Sequence, residues 1–229
     1  MPPTLYIDRR DAAKALADSL KLHLKGKLSP KKPLVLAIPR GGVVLGRDVA
    51  RQLDAELDLV VPRKIGAQWN PEFAIGAVMH DGTLYLNEDA VRDTGASPLY
   101  LASEKLRQVK EARRRLDAYR GGRPEPRILG RDVIIVDDGV ATGATMMVAL
   151  KWVRSRHARL IVAATPVAPS STLALLGREA NFVVCPHSPE PFYAIGAFYQ
   201  KFEQVSDEEV KGMLEEFWRE TTSTFSKTE

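Results

Sequence analysis

Val133-Ile134-Ile135-Val136-Asp137-Asp138-Gly139-Val140-Ala141-Thr142-Gly143-Ala144-Thr145 runs four β-branched apolar residues into two adjacent acids and then into a loop of small residues. With no polar residue to alternate, residues 133–136 read as a strand buried on both faces of a parallel sheet, introduced by the turn Gly130-Arg131-Asp132. Asp137 and Asp138 therefore fall at its carboxyl end, the edge where open α/β sheets bind ligands. Gly139, Gly143 and their small neighbours let a ligand approach the backbone closely, and residues 146–152 continue as a helix. The free N–H groups and the positive dipole end of that helix suit a phosphate. Two carboxylates repel phosphate but accept hydrogen bonds from vicinal hydroxyls. Acids plus an N–H cradle point to a ribose 5-phosphate. A receiver-type or Walker B strand would also end in acids, but neither explains Thr-Gly-Ala-Thr four residues after Asp138.

Working outward, residues 33–38 form an apolar strand, Pro39-Arg40-Gly41-Gly42 a turn, residues 43–53 a helix and residues 57–61 the next strand, a β-turn-α-β unit. Arg63 and Lys64 end that second strand on the ligand-binding rim, and residues 66–72 have the polar, Gly- and Pro-containing character of a mobile lid. Residues 74–79 and 83–86, joined at His80-Asp81-Gly82, read as a hairpin. Residues 97–119 form a charged amphipathic helix that packs over an edge of the site or against a partner chain. Strands at 160–164 and 182–184 flank a helix near 171–179, and such alternation indicates a doubly wound, mostly parallel sheet flanked by helices. A first helix follows Asp8 with apolar residues from Ala12 to Leu24. A last helix starts near Ser206 with Glu209 at capping-box spacing, and residues 221–229 are expected to fray. One domain over 1–229 is expected, its core at about 30–185, with a small hood and appendages from 1–29 and 186–229.

The strand-acid-loop stretch resembles the signature of the type I phosphoribosyltransferases, enzymes that use 5-phosphoribosyl 1-pyrophosphate (PRPP). The resemblance implies that Asp137 and Asp138 hold the ribose hydroxyls and that Ala141, Thr142, Gly143, Ala144 and Thr145 wrap the 5-phosphate. Gly139 departs from the aliphatic or Ser residue that many relatives carry there. Pro39, Arg40, Gly41 and Gly42 match the family's pyrophosphate loop, which implies a non-proline cis peptide between Pro39 and Arg40. Arg63 and Lys64 would join them at the pyrophosphate, with Asp137, Asp138, Arg40 and Lys64 carrying the chemistry. Phe192 and Tyr193 stand where hood aromatics of purine-specific relatives stack on the acceptor, although no acid follows them before Glu203. The order of motifs along the chain resembles the bacterial "predicted phosphoribosyltransferase" group. The implied activity is phosphoribosyl transfer to a nitrogen acceptor such as a purine-like base, as in nucleotide salvage. Mg²⁺ is the implied cofactor, held mainly by substrate oxygens rather than by His or Cys. The alternative is a non-catalytic PRPP- or nucleotide-binding regulatory protein on the same fold.

Composition fits this reading. The single cysteine, Cys185, excludes an internal disulfide and has no His and Asn partners that would make it a nucleophile. Without a signal-like or membrane-spanning apolar run, a cytoplasmic protein is expected, without a membrane partner. The net charge of +4 lies largely in residues 25–32 and 105–131. Apart from Tyr119, no aromatic residue lies in those runs, so a polyanionic small substrate accounts for the charge better than nucleic acid. Self-association into a homo-oligomer is expected.

Overall fold

The computed structural model describes the backbone of residues 4–225 and the side chains of residues 4–221. Strands β1 (Leu34–Ala37), β2 (Glu56–Leu59), β6 (Asp132–Val136), β7 (Leu160–Ala164) and β8 (Phe182–Val184) form a parallel sheet in the order β2-β1-β6-β7-β8. The order reverses between β1 and β6, which makes their carboxyl ends the topological switch point where such sheets bind ligands. In register, Ala37 lies beside Val136 and Val136 beside Ala164. The segments that follow β1 and β6 therefore emerge side by side.

The apolar runs behave as their lack of alternation requires. Val35, Ala37, Ile134, Val136 and Val162 enter one buried cluster, whereas Leu34, Leu36, Val133, Ile135 and Ile161 enter another on the opposite face. Helices α1 (Arg9–Leu24), α2 (Gly41–Gln52) and α7 (Asp207–Phe225) cover the first face, and α5 (Ala144–Ser155) covers the second with its fully buried Trp152. Helices α1 and α7 lie outside residues 30–185, yet Leu16, Leu20 and Leu214 complete the first core. Asp8 caps α1 by accepting from the amides of Arg10 and Asp11, and Ser206 with Glu209 forms a reciprocal capping box at α7. Helix α7 continues through Phe225, so the expected fraying at Thr221 is not seen; residues 226–229 lie outside the described residues.

One expectation is corrected in this part of the chain. Arg63 and Lys64 do not end the second strand: after Leu59 the chain turns through Val60-Val61-Pro62 and begins a new strand, β3 (Arg63–Gly66). That strand pairs antiparallel with β4 (Ala74–Val78), which pairs with β5 (Leu84–Leu86), giving a separate small sheet. The pairing is long-range, and Pro62 was the one local sign of a break. A short helix, α3 (Glu88–Thr94), capped by Asn87 and stopped by Gly95, forms in a segment whose sequence carries little apolar periodicity. The long charged helix α4 (Pro98–Arg120) starts with Ser97 as its cap. It lies against β3 and α7 and buries polar residues with apolar ones: Gln108 accepts from Arg63, and Arg120 pairs with the buried Asp58 at 3.1 Å.

His80, in the β4–β5 turn, lies between Trp152 and Glu125, its Nε2 3.5 Å from the carboxylate. Burial holds its imidazole below the ordinary value, with Glu125 and Asp81 opposing and Arg156 and Arg120 reinforcing. The folded state thus binds this proton less readily than the unfolded chain. The stability contributed is present above the ordinary histidine value of about 6.5 and is lost as pH falls through the lower folded value. Urea unfolding of the wild type and His80→Asn between pH 7.5 and 5 should show the gap between their stabilities shifting in favour of the variant on acidification.

Candidate functional site

At the switch point, the Pro39-Arg40 peptide is cis, as the resemblance implied. Arg40 is the residue before α2, and the first-turn amides of that helix lack intrahelical acceptors. Across the crevice, Gly143 at φ +79 turns the signature loop into α5 and aims a second helix N-terminus the same way. Thr172 fixes the loop by donating its hydroxyl to the Ala141 carbonyl, and the Val140 amide donates to Val167 at 3.0 Å. Ala141 and Thr142 are exposed, Gly143 and Ala144 are buried, and Thr145 is half-buried at the head of the helix.

The two loops touch through their glycines. A Cβ on Gly41 would lie 1.7 Å from Asp138 Oδ2, and one on Gly42 would lie 2.8 Å from the Val136 carbonyl. Only glycine allows the loop after β1 to pass so near the acids. Gly139, the departure from the family pattern, has an equally direct reason. A Cβ there would lie 2.3 Å from Cγ2 of Ile195, which belongs to the short 3-10 turn Ile195–Phe198 of the hood.

The acids are not equivalent. Asp138 is buried and its Oδ2 accepts from Arg9 Nε at 2.7 Å, while its carbonyl accepts from the Tyr199 hydroxyl. Asp137 is half-buried; its Oδ1 accepts from the Asp138 amide at 2.9 Å, and among the described residues it has no ion-pair partner. Burial, then the neighbouring Asp138 charge, holds the Asp137 carboxyl well above the usual carboxylate range. Burial raises Asp138 as well, with Arg9 opposing.

The sequence reading missed Arg9, Tyr199, Phe202 and Thr172. Arg9 precedes Asp138 by 129 residues, and nothing local to either residue marks the pair. Arg9 also donates from Nη1 to the Glu203 carbonyl at 2.7 Å and stacks 3.9 Å from the Phe202 ring centroid.

The predicted cations are dispersed. Arg40 Nη1 lies 3.7 Å from Asp207, which also accepts from Tyr119. Arg63 and Lys64, successive residues of a strand, face opposite ways: Arg63 toward Gln108 of α4, and Lys64 toward Glu72 at 2.8 Å. The loop read as a lid is a compact exposed turn, closed by bonds from Ala67 to Phe73 and from Phe73 to Asn70, with Trp69 82% exposed. Phe192 and Tyr193 part company too. Phe192 packs on Phe198 at 4.9 Å between centroids, and Tyr193 is 78% exposed. Burial pushes the Cys185 thiol up to about 11, consistent with a protonated, unreactive cysteine.

A family model described as the phosphoribosyl transferase domain matches residues 7–176. The chain belongs to that family. The match takes in both loops, α1 and Arg9, and stops before the hood. Two Mycobacterium tuberculosis proteins, Rv0571c of strain H37Rv and MT0597 of strain CDC 1551, are provisionally named phosphoribosyl transferases. Each is 39% identical over 216 residues, covering 94% of this chain and 48% of its own length. The chain thus spans about half the length of these curated relatives. The crystal structure of TT1426 from Thermus thermophilus is 44% identical, has a TM-score of 0.77, and is matched over 93% of this chain and 99% of its own. Among the described residues of this phosphoribosyl transferase domain, no helix is long and apolar enough to cross a membrane.

The closeness of the two loops is testable. Gly41→Ala should destabilise the fold by about 1–3 kcal/mol, because the added methyl must displace the Asp138 carboxylate. Denaturant unfolding measures the loss.

Proposed function

We propose that this domain transfers a 5-phosphoribosyl group from PRPP to a ring nitrogen of a small planar acceptor, a purine-like base being the first candidate. One observation carries the reading: the Pro39–Gly42 turn and the Asp137–Thr145 loop leave adjacent parallel strands at the switch point and pack glycine against acid. In the reaction the C1–oxygen bond breaks, the bonding pair leaves with pyrophosphate, the acceptor nitrogen bonds to C1, and its proton passes to solvent. Asp137 and Asp138 accept from the ribose hydroxyls, and the amides of residues 141–145 at the start of α5 take the 5-phosphate. The start of α2 with Arg40 receives the pyrophosphate. Lys64 supplies further positive charge by exchanging Glu72 for the leaving group, whereas Arg63 faces the other way and is held by Gln108 of α4. Mg²⁺ bound to substrate oxygens would draw charge from the pyrophosphate. Asp137, a carboxylate without an ion-pair partner among the described residues, is the hard oxygen donor that fits such an ion. Tyr193 is the exposed aromatic available to an acceptor, with Phe192 bracing the hood behind it.

Pyrophosphate release from PRPP and Mg²⁺ across a panel of purines, pyrimidines and other amines tests the proposal, and turnover is expected with at least one acceptor. PRPP binding without turnover across the panel would identify a regulatory PRPP sensor instead. Asp137→Asn should weaken PRPP binding by roughly 10–100-fold, the loss of a charged hydrogen-bond acceptor. Its melting temperature should stay level or rise, because the substitution removes a carboxylate whose charge is disfavoured there. Calorimetric titration and a thermal melt on one sample separate the two effects.

A further inference from the structure

We propose that Arg9 is a positioning residue of the ribose site: it fixes the orientation of Asp138 and ties that acid to the hood. The proposal rests on the phosphoribosyl-transfer reading above. The guanidinium makes three contacts that belong to two parts of the site. Its Nε donates to Asp138 at 2.7 Å, its Nη1 donates to the Glu203 carbonyl at 2.7 Å, and its face stacks on Phe202. Phe202 lies also against Tyr199, at 4.9 Å between centroids, and the Tyr199 hydroxyl donates to the Asp138 carbonyl. Asp138 is therefore held at its carboxylate and at its backbone by two groups braced on one ring.

The base of the clamp is fixed as well. Arg9 opens α1 directly after its cap, Asp8, and the preceding segment pairs with the hood through Leu5 and Tyr6 to the Phe198 carbonyl and Gln200 to the Tyr6 carbonyl. Gly41 leaves the room: a side chain there would strike Asp138 Oδ2 and come within 2.8 Å of Arg9 Nε. A nearly buried ion pair adds little net stability over an apolar pair of the same shape, so orientation is what this arrangement gains. Arg9 thus sets the direction in which the Asp138 carboxylate meets the ribose hydroxyls beside Asp137, and the same guanidinium links that acid to the hood.

The test is a double-substitution cycle read by calorimetric titration with PRPP and Mg²⁺, at a temperature where a thermal melt shows every variant folded. Arg9→Gln should lower PRPP affinity by roughly 10–100-fold, in the range typical of groups that orient a ligand-binding carboxylate or imidazole. Arg9→Lys, which keeps a cation, should recover part of the loss, and Phe202→Ala should fall between. In an Asp138→Asn background, Arg9→Gln should cost less than about threefold, because its target is gone. Wild-type affinity in Arg9→Gln, or losses that multiply in the double variant, would overturn the proposal. A wild-type chain that does not bind PRPP is a separate result: it would overturn the transfer reading and this proposal with it.

Discussion

The parallel pairing of β1 with β6 is the constraint on which the site depends. Residues about a hundred positions apart in the chain become neighbours there, with Ala37 beside Val136. Because sheet order reverses between these strands, their connections leave toward opposite faces and open a crevice at the carboxyl edge. Everything proposed for ligand binding hangs on that crevice: the turn at Pro39-Arg40, the acids, and two helix N-termini facing one space. A slip of one residue in this register would swap the core-facing sets of the strand and move the acids away from Gly41.

Electrostatics then divides the labour between the two acids. Adjacent carboxylates at a partly dry position are unfavourable together. The fold answers half of that cost with Arg9 on Asp138 and leaves Asp137 without an ion-pair partner among the described residues. The pair is thus electrostatically uneven: one acid is matched by a cation, and its neighbour among the described residues is not.

The strands of the parallel sheet, and the burial of β6 on both faces, were legible in the sequence because alternation, or its absence, is a local property of a few residues. The switch from strand to glycine turn to helix after β1 and β6 was legible for the same reason. Capping at Asp8, Asn87 and Ser206 follows local hydrogen-bond chemistry, although weak apolar periodicity after Asn87 hides the helix it caps. What failed was partner choice. Local pattern places Arg63 and Lys64 at the end of the second strand, whereas Pro62 separates them into a small sheet whose partner lies beyond a turn. Phe192 and Tyr193 look alike in sequence, and packing on Phe198 decided which of them is covered.

By itself, then, the sequence determined most of the elements, the two loops and the family they resemble, because hydrophobic periodicity, glycine turns and paired acids act over a few residues. Only the tertiary structure decided that Arg9 meets Asp138, that Ile195 needs Gly139, and that Arg40 and Lys64 rest on Asp207 and Glu72. Those contacts join segments far apart in the chain. Their selection depends on the register of the sheet and on the packing of helices around it, and no short stretch of residues carries that information.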